Sequence, residues 1–109
     1  MDGIGLIAEE RTRQIIKEGY NATHDDKHIN GELAVAAACY AVYGLEQGDE
    51  YYEVGRIFCR GIREGEYEEA FPWGADSDRR EDHSPLRRLV IAGALIAAEI
   101  DRLHRAGSV

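Results

Sequence analysis

Residues 84–107, SPLRRLVIAGALIAAEIDRLHRAG, decide the fold class. Ser84 stands where a helix needs an N-cap, because its hydroxyl can accept a hydrogen bond from an otherwise unpaired amide. Pro85 follows at the first helical position, where a missing N–H costs nothing, and Gly107 closes the run. Between these signals Leu86, Leu89, Val90, Gly93, Ala97, Ile100 and Leu103 fall on one face at helical spacing. Ile91, Ala94, Leu95, Ile96 and Ala98 then leave the middle apolar nearly all round. Such a helix is central in its domain or is covered by another subunit. Three shorter helices can hardly cover it, so assembly as a homo-oligomer is expected.

The rest of the chain supplies those shorter helices. Ile4 to Gly19 carries Ile4, Ile7, Ala8, Ile15 and Gly19 on one stripe, with Arg11 inside it and Glu9, Glu10, Arg13, Lys17 and Glu18 on the opposite surface. A polar loop, Asn21 to Asn30, leads to a helix over about 31–47, with Asn30 as its expected cap and Glu32 at the positive end of its dipole. The many alanines of that helix allow a neighbouring backbone to come close. A third helix is expected over about 49–64, weakened by Gly55 and Gly61, and a long loop over 65–83. The expectation is a single all-α domain over 1–109, with helices at about 4–19, 31–47, 49–64 and 85–106.

Composition narrows the function classes. At 109 residues, 44% hydrophobic and 31% charged, the chain has the make-up of one folded domain. A net charge of −8 argues against long nucleic acid as a partner, since that affinity comes from clustered Lys and Arg. Cys39 and Cys59 lack metal or redox spacing and read as small apolar residues in a reducing, cytoplasmic setting. Met1 to Leu6 has no basic leader pattern, and no apolar run approaches the roughly 20 residues that span a bilayer.

Three polar constellations could carry chemistry. Thr23-His24-Asp25-Asp26-Lys27-His28 sets two imidazoles at i and i+4 with two carboxylates between, a donor set suited to a first-row divalent ion or, with protonated imidazole and Lys27, to a nucleotide phosphate. The same residues also fit plain helix capping, with Thr23 and Asp26 as a capping-box-like pair. Glu32, Glu99 and Asp101 form a second set. Glu99 lies among Ala97, Ala98 and Ile100, so it needs a partner such as Arg102 or Arg13, or else shares a cation with Glu32. Arg56, Arg60 and Arg63 are spaced to line one helix face, as a phosphate grip or as a solvated stripe paired with Glu53 and Glu64. Trp73, the single tryptophan, can stack on a base or fasten the long loop to the core.

The segments AEERTRQIIKEGY, HDDKHINGELAVAAACYA, FPWG and RRLVIAGALIAAEIDRLHR together resemble a family of small phage and prophage proteins, over Ile7 to Tyr43 and Leu86 to Arg105. The layout also looks distantly like the all-α, MazG-like nucleoside triphosphate pyrophosphatases, which hold magnesium through an ExxE…ExxD set. Here the third position after Glu32 is Val35 and that after Glu99 is Arg102, so two of the four ligands are missing.

These readings converge on an expected ligand-binding protein. Its ligand is a small phosphorylated nucleotide, contacted by His24, Asp25, Asp26, His28 and Glu32, with Trp73 and Arg88 counted among the contacts and the amide-rich start of the second long helix close by. No catalytic residue, metal or other cofactor is expected. Sequestration of a nucleotide immune signal, an anti-defence role, is the use implied by the phage resemblance. One alternative is a Mg²⁺-dependent nucleotide pyrophosphatase with Glu32, Glu99 and Asp101 as ligands. Another is an acidic inhibitor that engages a host protein through Glu64 to Glu69 and Asp76 to Asp82.

Overall fold

Asp2 caps the first helix, α1 (Gly3–Lys17), by accepting from the Gly5 amide at 2.9 Å, and Gly19 at φ +74° turns the chain away. The computed structural model describes residues 1–44, 50–51, 53–54, 62–63, 66–67, 71–73 and 78–108, the strand residues by backbone alone. The stripe expected on α1 is largely outside: Ile4, Ala8, Ile15 and Gly19 are exposed, whereas Glu10, expected on the opposite surface, and Gln14 are fully buried. The apolar positions lost the competition because Glu10 accepts from Arg13, Arg87 and the Gln14 amide, which offsets the cost of taking its charge from water.

The segment expected as a polar loop contains a one-turn helix, α2 (Ala22–Asp25). Its cap is Asn21, whose side chain accepts from the His24 amide at 3.0 Å, and not Thr23. Asn21→Ala is therefore expected to cost about 1 kcal/mol in urea denaturation, against a few tenths for Thr23→Ala. Equal losses would contradict this assignment.

Helix α3 (Glu32–Val42) starts without the expected Asn30 side-chain cap. Gly31 takes the left-handed conformation at φ +86°, and Glu32 reaches back to accept from the Asn30 amide at 2.6 Å. The helix stops at Val42, short of the expected residue 47, because Tyr43 turns to an extended backbone. Of the expected third long helix, Glu53 and Val54 are helical, but Ile62–Arg63 form a strand, β1, paired antiparallel with Glu66–Tyr67, β2, in the register Ile62↔Tyr67 and Arg63↔Glu66. Gly61 and Gly65, which flank β1 in the sequence, are poor helix formers, so an unbroken helix is disfavoured there. The expected long loop thus includes β2 and a 3-10 turn at Arg80–Asp82.

Helix α4 (Pro85–Arg105) matches its expected bounds, with Ser84 accepting from the Arg87 amide at 3.2 Å. The fold is all-α, one short hairpin apart. Its core lies between α3 and α4, where Leu33, Ala36, Ala37 and Cys39 meet Leu95 and Ala98 and the small side chains let the backbones close in. Each fully buried leucine there stabilises the fold by about 1.5–3 kcal/mol. Helix α1 lies against α4 at Gly93, whose missing Cβ leaves room for Ile7: a Cβ there would meet Ile7 Cδ1 at 2.5 Å. Among the described residues no helix is long and apolar enough to cross a membrane.

Candidate functional site

The His24–His28 segment is tied into the fold by charge. Asp25 is fully buried and accepts from Arg11 Nη2 at 3.1 Å through one oxygen, while the other lies 2.8 Å from His24 Nδ1. Arg11 also donates to the Tyr20 carbonyl at 3.1 Å and sits 3.6 Å from Asp101. His28 Nδ1 lies 3.2 Å from Glu32, and Asp26 pairs with Arg105 at 2.7 Å on the surface. The imidazoles meet at the i, i+4 spacing, ring to ring at 4.9 Å, and belong to a continuous run of aromatic contacts. Tyr20 stacks on His24 at 4.4 Å, His28 touches Trp73 at 5.5 Å, and Trp73 meets Phe71 edge-on at 5.7 Å.

That run ends at a cavity of about 360 Å³ enclosed by α1, α4, Tyr20, Tyr40 and the Phe71–Trp73 segment. A volume near 300 Å³ or more is the ordinary scale of a small-molecule site. Of the residues expected to contact a ligand, Trp73 lines it. His24 and His28 stand behind Trp73 in the ring series, and Asp25, Asp26 and Glu32 are held in the pairs just described. Arg88 is engaged elsewhere, donating to the Arg80 and His83 carbonyls with its guanidinium 4.7 Å over the Tyr43 ring.

The cavity's polar wall comes from residues that periodicity had placed on the outside of α1. Glu10 is gripped by Arg13 at 2.7 and 2.9 Å, by the Gln14 amide at 3.1 Å and by Arg87 from the start of α4. Burial pushes the Glu10 carboxyl upward, but these hydrogen bonds and the two guanidinium charges outweigh it and hold the group below its ordinary value. Arg13 also pairs with Glu18 at 2.9 Å, so both acids on the cavity wall are neutralised by arginine. Burial raises the hydroxyl of Tyr20, with Glu18 adding to it, and that of Tyr40, with Asp78 adding to it, so both remain neutral donors.

Two polar atoms of lining residues are buried without a hydrogen-bond partner among the described residues: the acceptor Gln14 Oε1 and the donor Trp73 Nε1. Unpaired buried groups are few in a folded protein, and each calls for an explanation, such as a bound molecule that completes it. Arg79 and His83 stand at the same cavity, and Arg79 is exposed, donating to the Asp78 carbonyl at 3.2 Å. Glu10 and Gln14 escaped detection because i, i+4 polar residues on an amphipathic helix ordinarily face water. The available signal was Arg11, equally polar yet already set among the apolar positions.

The carboxylates of the metal alternative are spread over separate partners. Glu99 pairs with Arg102 at 2.5 Å, Asp101 faces Arg11, and Glu32 is held by His28 and the Asn30 amide. No group of three His, Cys, Asp or Glu residues suited to an ion occurs among the described residues. Arg56, Arg60, Cys59 and most of the stretch 64–77 lie outside the described residues, as does the Arg63 side chain. Comparison with protein-family models, with curated proteins and with solved structures finds no match for this chain.

Proposed function

We propose that this protein binds a small phosphorylated nucleotide in the cavity between Gln14 and Trp73. The observation that supports it is the pairing of one buried acceptor and one buried donor, neither with a partner among the described residues, on residues of a single aromatic-walled cavity. A nucleobase supplies what such a wall lacks: a flat π-face for Tyr20, Tyr40, Phe71 or Trp73, an N–H for Gln14 Oε1 and a ring nitrogen or carbonyl for Trp73 Nε1. Arg79 and His83 supply cationic or donor groups for the phosphate. Both wall carboxylates are engaged by Arg13, which favours retention of the ligand over its hydrolysis. In the setting that the phage resemblance implies, such a protein would withhold a nucleotide signal from its receptor.

The test is calorimetric titration with nucleoside monophosphates, cyclic nucleotides and inorganic phosphate, with the fluorescence of the single tryptophan as a second readout. At least one nucleotide is expected to bind, to quench Trp73 and to be recovered unchanged after incubation with Mg²⁺. Gln14→Leu and Trp73→Phe, which keep size and aromaticity, are each expected to weaken binding about tenfold, or about 1.4 kcal/mol. Absence of heat with every nucleotide, or full affinity in both variants, would remove this site from consideration.

A further inference from the structure

Helix α4 keeps one apolar stripe outside the fold. Leu86, Leu89, Ile96, Ile100 and Leu103 are between 39% and 62% exposed, and with Gly93 they recur at alternating steps of three and four residues. That spacing is the seam of a two-stranded helix pair and not the broader face that packs a helix onto a domain. The buried residues of α4 are a different set, Val90, Ile91, Ala92, Ala94, Leu95 and Ala98, of which Ala92 borders the stripe. At Gly93, the one stripe position without a side chain, the stripe meets helix α1, whose Ile7 stands where a Cβ would be.

The stripe is self-complementary. Leu86 and Leu103, Leu89 and Ile100, and Gly93 and Ile96 are pairs that share one midpoint, between Ala94 and Leu95. A second α4 laid antiparallel about that midpoint sets a large residue opposite a large one at both ends, and in the middle sets Ile96 of each copy against the Ile7-filled place at Gly93 of the other. A parallel pair would bring Gly93 against Gly93. The charges of α4 lie off the stripe and are engaged within the monomer: Arg87 with Glu10, Glu99 with Arg102, Asp101 with Arg11 and Arg105 with Asp26. No charge on the stripe would be stripped of water without a partner, the usual obstacle to burying a helix face. The five stripe side chains of each copy, with Ile7 beside them, remove on the order of 1,000 Å² from water in the pair, near the threshold of about 1,000 Å² for a specific interface.

We propose that the Leu86–Leu103 stripe is the contact surface between two copies of this chain, packed antiparallel about a two-fold axis at the level of Ala94 and Leu95. The assignment stands apart from the ligand site, which uses another face of α1 and α4.

Light scattering on the full chain at about 100 µM, where an interface of this modest area is populated, is expected to give twice the 12.2 kDa chain mass. With Ile96→Glu and Ile100→Glu together the mass is expected to fall to that of one chain, with helical circular dichroism unchanged, since both residues already face solvent. Should that pair of substitutions perturb folding, the milder Ile100→Ser is expected to raise the dissociation constant at least tenfold. Orientation is read by disulfide formation: Leu86→Cys mixed with Leu103→Cys cross-links, while neither variant alone does so above the parent chain. A parent protein that runs at one chain mass, a dimer indifferent to Ile100→Ser, or cross-linking within each variant alone would each overturn the proposal.

Discussion

Asp25→Ala is expected to destabilise the protein by about 3–5 kcal/mol, the cost of removing one partner from a buried ion pair. Asp25 is fully buried, and its two oxygens join Arg11 to His24. Arg11 is in turn the cation that holds the Tyr20 carbonyl and faces Asp101, so the substitution leaves a nearly buried guanidinium short of its closest counter-charge. The neighbouring Asp26→Ala should cost no more than about 1 kcal/mol, because its pair with Arg105 is solvent-exposed. Urea denaturation of both variants separates them. Equal losses would mean that Asp25 contributes only as a surface charge does, and the structural assignment of this aspartate would fall.

The second large effect is at Glu10. Glu10→Ala leaves Arg13, Arg87 and the Gln14 amide facing a vacated buried site, again a loss of about 3–5 kcal/mol. Glu10→Gln tests the charge alone and carries a pH signature. The Glu10 carboxyl is held below its ordinary value of 4.5, so its contribution to stability is complete above about that pH and is lost as the pH falls through the lower folded value. The parent should therefore lose stability relative to Glu10→Gln on acidification below pH 4.5. Asp78, lowered by Arg80 against its own burial, acts with the same sign in both proteins and cancels in the difference. Parallel stability curves for the two proteins below pH 4.5 would show that Glu10 is not held ionised by the fold.

How much of this was legible beforehand differs from residue to residue. Helix α4 was readable to its bounds, because Ser84, Pro85 and Gly107 act on the local backbone and need no tertiary partner. Close packing of the alanine-rich α3 was readable as well, since small side chains permit close approach in any arrangement, but its partner α4 was not. Gly55 and Gly61 marked a weak helix, yet the pairing of Ile62–Arg63 with Glu66–Tyr67 joins residues whose partnership periodicity cannot register. Of the residues that line the cavity, Trp73 is one the sequence singles out by its chemistry, while Glu10 was expected on the outer surface of α1 and Gln14 carried no signal of its own.

The amino-acid sequence by itself determined the helical class, the existence and capping of the longest helix, and the presence of polar groups whose charges need partners. Tertiary structure decided which faces turn inward. The middle of helix α4 is apolar nearly all round, so its pattern is compatible with more than one core face, and only the fit of Ile91, Leu95 and Ala98 against α3 selects the buried one. On α1 the selection runs against hydrophobicity: Arg87, 77 residues away along the chain, joins Arg13 in neutralising Glu10. A carboxylate is buried where opposite charge and hydrogen bonds meet it, and that meeting is a property of three-dimensional packing.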